Sequence, residues 1–129
     1  MKTILSATAV LFFTLSSHVF SGDKLDGEQI KTLFSDKTVD IEKVDVDKKK
    51  KKYLSAYTSA DGSRILYIPW KNKKSERKWW VEGDQYCGSH PKNGDYCRDI
   101  VSAGDGTYHA LVNGKHLRTF SNFRDGNQL

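Results

Sequence analysis

From Thr38 onward the chain reads as short segments of period-two alternation, cut at regular intervals by glycine-bearing turns. In "TVDIEKVDV" Val39, Ile41, Val44 and Val46 are set against charged neighbours, the pattern of a strand with one face in water. "YLSAYTS" and "SRILYIPW" flank Ala60-Asp61-Gly62, a hairpin turn, and Pro69, which cannot donate to a ladder, ends the second strand or places it at an edge. "KWWVE", "DQYCG", "YCRDIVS", "TYHALV" and "KHLRTFSNF" follow, separated by Gly83-Asp84, Lys92-Asn93-Gly94, Gly104-Asp105-Gly106 and Asn113-Gly114. Such spacing predicts a mainly β fold: an antiparallel meander of about seven or eight strands closed into a small barrel or sandwich. Arg124 to Leu129 reads as a frayed tail.

One helix precedes the strands. In "LDGEQIKTLF" Asp26 can cap the helix, Gln29 sits where a capping box needs it, and Leu25 and Ile30 can form a hydrophobic staple. Ile30, Leu33 and Phe34 give it one apolar stripe. One hairpin can be taken to register. If Asn113-Gly114 is a two-residue turn, Val112 faces Lys115, Leu111 faces His116 and Ala110 faces Leu117. Tyr108, Ala110, Val112 and Leu117 then share the core face, while His109, His116 and Arg118 share the outer one.

Residues 1–21 have a basic start at Lys2, an apolar run from Ile4 to Leu15 and small residues at Val19 and Ser21, the build of a secretory signal peptide. The run is too short for a transmembrane helix, and no later segment is apolar enough to span. Residues 22–129 are then expected to form a single domain, periplasmic or secreted. Its two cysteines, Cys87 and Cys97, are expected to pair as a disulfide in an oxidising compartment rather than to act as a redox or metal pair. Closing that short loop stabilises a small core by about 3 kcal/mol in the chain-entropy model. The formal charge of +5 falls by one when Lys2 leaves, and the modest positive balance favours anionic partners: an envelope polymer, a lipid or a protein. Specific nucleic-acid binding is not expected, because the basic residues are concentrated in "KKKKK", Lys48 to Lys52, and "KNKKSERK", Lys71 to Lys78, both read as solvated loops.

The sharper candidates are aromatic. Two adjacent tryptophans on a strand point to opposite faces, so of Trp79 and Trp80 one fills the core and the other either covers apolar surface or offers a binding platform. The candidate ligand-binding set is therefore Trp79 or Trp80 with Tyr67, Trp70, Lys73 and Lys74. His109 and His116 are diagonal neighbours on an outer face, but with no cysteine or carboxylate beside them they read as surface histidines rather than as a metal site. There is no Gly-x-Ser-x-Gly elbow, phosphate loop or His-Glu-x-x-His, and no catalytic residue or cofactor is assigned.

The order "LDGEQIKTLFSDKTV", a variable strand region, "WWVEGDQYC", "YCRDIVSAGDGTYHALVNG" and a closing "GN" resembles a family of small exported bacterial proteins of unknown function. In that family a helix precedes a β-rich domain and a tryptophan strand leads into a cysteine pair. The resemblance implies a lipocalin-like β-fold in the periplasm or outside the cell and transfers no catalytic residue. The family pattern has Gly and a small residue before the tryptophan, where this chain has Lys78 and Trp79 before Trp80.

The expected function is a non-enzymatic binding or interaction module of the bacterial envelope. The alternative is an inhibitor of a hydrolase or other protein partner that presents the Cys87–Cys97 loop, with Lys92 and Asn93 at its tip. A cavity in a closed barrel favours the first, a filled barrel with a protruding loop the second.

Overall fold

The computed structural model describes residues 23–45 and 50–129. The expected signal peptide and Val46 to Lys49 lie outside them. Among the described residues eight strands follow one helix: α1 (Gly27–Phe34), β1 (Lys37–Asp45), β2 (Lys50–Thr58), β3 (Ser63–Ile68), β4 (Lys73–Glu82), β5 (Gln85–His90), β6 (Gly94–Gly104), β7 (Thr107–Val112) and β8 (Lys115–Asp125). Each strand pairs antiparallel with the next, and β1 pairs with β8, so the meander closes into a barrel without free edges. Among the described residues no helix is long and apolar enough to cross a membrane.

Helix α1 starts where its caps dictate. The Asp26 carboxylate accepts from the Gln29 backbone N–H at 2.9 Å, and the Gln29 side chain accepts from the Asp26 N–H at 2.8 Å. Leu25 and Ile30, the two ends of the staple, are both buried. The helix thereby lays Ile30 and Phe34 against the barrel core. The Phe34 ring contacts Tyr86, Phe120, Phe123 and Trp79, with centroids 4.8, 5.1, 5.4 and 6.4 Å away. This aromatic cluster fills the helix end of the barrel.

The turns carry the residues that their backbone requires. Asn113 and Gly114 both have positive φ (51° and 78°), which joins β7 to β8 through two residues. Pro69 ends β3 as expected and opens a single 3₁₀ turn, Pro69–Lys71. Cys87 and Cys97 lie directly opposite each other on β5 and β6 and are bonded.

Three expectations need correcting. The basic segments are largely strand rather than loop: Lys50 to Lys52 belong to β2, and Lys73 to Lys78 belong to β4. Alternation therefore turns some of these cations inward. In the β7–β8 hairpin the first two pairs are as expected, but the register then shifts and Ala110 faces Arg118, leaving Leu117 as the extra residue. Arg118 is thus on the inner face. The final residues are tied down instead of frayed: the Gly126 N–H donates to the Asp36 carbonyl at 2.8 Å, and the Gln128 N–H donates to Thr38 Oγ1 at 2.9 Å.

Candidate functional site: a cationic barrel lumen

The end of the barrel away from α1 is not filled. A cavity of about 420 Å³ opens there, a size that suits a small molecule. Its walls carry four arginines, Arg64, Arg77, Arg98 and Arg118, and three lysines, Lys43, Lys52 and Lys71. Among the described residues that line it, none is acidic.

Strand alternation puts these arginines inside. Arg77, Arg98 and Arg118 each stand two residues before a buried core residue, Trp79, Ile100 and Phe120 respectively, so they share its face. Arg64 lies directly opposite Arg77 across the β3–β4 ladder. The result is a tier of guanidinium groups contributed by β3, β4, β6 and β8, next to the aromatic cluster below. Leu54, Leu66 and Ile68 form an apolar strip on β2 and β3, and Trp70 stands at the mouth.

Aromatic rings, not carboxylates, support this tier. The Arg64 guanidinium lies 6.0 Å from the Tyr86 ring centre and donates through Nη1 to the Tyr96 hydroxyl at 3.3 Å. The Arg98 guanidinium sits 4.3 Å from the centre of the Tyr96 ring. Arg77 Nε donates to Ser75 Oγ at 3.0 Å. Arg64 is only 5% exposed, yet among the described residues its Nε has no hydrogen-bond partner, and the buried Nε of Arg98 has none there either. A buried donor left unsatisfied is costly, and here two occur on residues that line one cavity.

The electrostatics carry the same signature. Burial, then the neighbouring charge of Arg98, brings the Arg118 guanidinium down to about 10. Burial also lowers Arg98 and Arg77, with Arg64 adding its repulsion to each. For Arg64 burial again opposes the charge, but the Tyr86 and Tyr96 hydroxyls beside it outweigh that opposition and hold it above its ordinary value. Burial pushes the Tyr86 hydroxyl up to about 12. All four arginines are charged at neutral pH, and they face one another.

The aromatic candidates from the sequence do not converge. Trp79 is a core residue, 5% exposed, whose indole N–H donates to the Ser59 carbonyl at 2.7 Å. Trp80 points to the outer face, beside the disulfide in the row Trp80, Cys87, Cys97, and donates to Glu82 at 3.4 Å. Tyr67 is half-buried and bonds to Asn72 at 3.4 Å, while Lys73 and Lys74 are exposed at the start of β4. Only Trp70 borders the cavity; it is 49% exposed, with Lys52 Nζ 5.0 Å from its ring centre. His109 and His116 stack on the outer face with centroids 3.9 Å apart.

The arginines escaped the sequence reading because cations were assigned to solvent. A signal was present: each of "RKW", "RDI" and "RTF" sets an arginine in phase with a core residue. The Cys87–Cys97 hairpin contributes to the same site, since Asn93 and Gly94 from its turn line the mouth together with His90. No family model, curated protein or solved structure matches this chain.

Proposed function

We propose that the protein is an exported, non-enzymatic binding module that holds a small anion in the cationic lumen of its barrel. The observation that carries this reading is the convergence of four arginines on one cavity, with no acidic group among the described residues of its lining. An anion among these guanidinium groups relieves their mutual repulsion and offers acceptors for charge-assisted hydrogen bonds. The leader pattern and the disulfide support placement in the periplasm or outside the cell.

Isothermal titration calorimetry with pyrophosphate tests the reading. Saturable binding to the wild-type protein, weakened at least tenfold in Arg98→Met, is expected. Absence of heat with pyrophosphate, sulfate and citrate alike contradicts it.

A second reading, a module directed at a protein partner, has one observation in its favour. The β5–β6 turn is held rigid, because the His90 Nδ1 accepts from the backbone N–H groups of both Lys92 and Asn93 at 3.1 Å. In that case Lys92→Ala with Asn93→Ala abolishes partner retention from envelope extract, and lumen variants leave it unchanged.

A further inference from the structure

The lumen can be read for the class of anion as well as for its sign. We infer that the ligand is a compact polyanion with three or more negative charges distributed over its surface, rather than an amphiphile with a single charged head; this rests on the lumen being an anion site. Three observations carry the inference.

First, the guanidinium groups come from β3, β4, β6 and β8, and so surround the cavity instead of forming one charged wall. A single headgroup seated on one side leaves the opposite arginines repelling each other across the remaining space. A ligand presenting oxygens in several directions reaches all of them.

Second, two of these guanidinium groups are held by one tyrosine, Tyr96, yet come from different strands, Arg64 on β3 and Arg98 on β6. Engaging both guanidinium groups takes more than one acceptor on the ligand. Because the two side chains are braced by Tyr86 and Tyr96, their donors are set in place and little is lost in ordering them.

Third, lysines continue the ring of arginines: Lys43 on β1 lies directly opposite both Arg118 on β8 and Lys52 on β2, and Lys71 stands in the 3₁₀ turn. They add to the positive potential and attract a highly charged ligand from solution. The apolar strip of Leu54, Leu66 and Ile68 is confined to β2 and β3, and the rest of the lining is mostly cationic.

Titration with phosphate, pyrophosphate and tripolyphosphate, then citrate, then octyl sulfate below its micelle concentration, tests the inference. Affinity is expected to rise roughly tenfold with each added phosphoryl group, as further charge-assisted hydrogen bonds form. Octyl sulfate is expected to bind no better than inorganic sulfate. Citrate as tight as tripolyphosphate assigns the site to polycarboxylates, and weaker citrate to phosphoryl compounds; both outcomes support a compact polyanion. Arg98→Met and Arg118→Met should each weaken tripolyphosphate at least tenfold while retaining the wild-type circular dichroism spectrum. Lys73→Ala with Lys74→Ala, outside the cavity, should change it less than threefold. Equal affinity across the phosphate series, or octyl sulfate the tightest of all, overturns the polyanion assignment while leaving an anion site in place. No binding by any of these compounds removes the anion site itself.

Discussion

Arg64 Nη1 donates to the Tyr96 hydroxyl at 3.3 Å and so joins β3 to β6 through the inside of the barrel. Tyr96 in turn places its ring 4.3 Å beneath the Arg98 guanidinium. One tyrosine therefore orients two arginines while taking up only one of their N–H donors. A carboxylate in the same position would neutralise the site; a phenol positions the cations and leaves their charge available.

The arrangement of Tyr96 depends on a glycine. A Cβ at Gly88, directly opposite Tyr96, would lie 2.6 Å from the Tyr96 hydroxyl oxygen and 2.8 Å from Cζ. Gly88→Ala should displace the ring and with it both arginines. Since a side-chain tip can move aside, the expected stability cost is modest, about 1 kcal/mol, in the range for overpacking. Anion affinity should fall at least tenfold, a split that urea denaturation and calorimetry on the same sample will resolve.

Removing a lumen arginine should stabilise the empty protein. The Arg118 group, at about 10, is below its unfolded value, so the stability it supplies at high pH is lost as pH falls through that range. At neutral pH the whole penalty is in force, on the order of 3 kcal/mol from the size of the shift. Arg118→Met is therefore expected to raise unfolding stability in low salt by about 1–3 kcal/mol. Added pyrophosphate should stabilise the wild type and close the gap. A less stable variant under low salt would mean that the repulsion has been misjudged.

The empty protein should lose stability in acid through His90. His90 at the mouth is held below its ordinary value by burial and then by Arg77, Lys43, Lys92 and Arg118. The unfolded chain thus binds that proton more readily, and the empty protein should lose stability as pH falls from above 6.5 through the folded value. Protonation falls on Nδ1, which accepts the Lys92 and Asn93 N–H groups, so it also releases the turn. Thermal unfolding of the empty protein above and below pH 6.5 gives the check. His90→Gln should abolish this pH dependence.

The disulfide is a separate and structural element. Cys87 and Cys97 bridge adjacent strands, and Cys97 sits between Tyr96 and Arg98. The double replacement Cys87→Ser, Cys97→Ser should lower stability by about 3 kcal/mol through the released loop. Urea denaturation with and without reductant provides the check: equal midpoints for the oxidised and reduced wild type would remove the staple from the account.

The fold was legible because turns and alternation are local. The Asp26–Gln29 capping box, the Asn113-Gly114 turn and the opposite faces of Trp79 and Trp80 follow from neighbouring residues alone. The lumen was harder to read because its arginines come from four strands and meet only on closure. An arginine two residues from a tryptophan is an ordinary solvated cation until β1 pairs with β8 and turns that face inward. Arg118 was further hidden by a shift that no turn residue announces: the extra residue Leu117 reverses the faces expected for the end of β8. The tail was misread for a similar reason, since its partners, Asp36 and Thr38, lie far back in the chain.

Occupancy by an anion between Arg64 and Arg98, inside the barrel, is the proposal on which the binding role rests. It is tested most directly by following the arginine Nε–H resonances by NMR during titration with pyrophosphate. The Arg64 and Arg98 signals are expected to move together and saturate with one dissociation constant, the one given by calorimetry. Shifts confined to Lys73, Lys74 and other exposed lysines, with the Arg64 and Arg98 Nε–H signals unmoved, would contradict it.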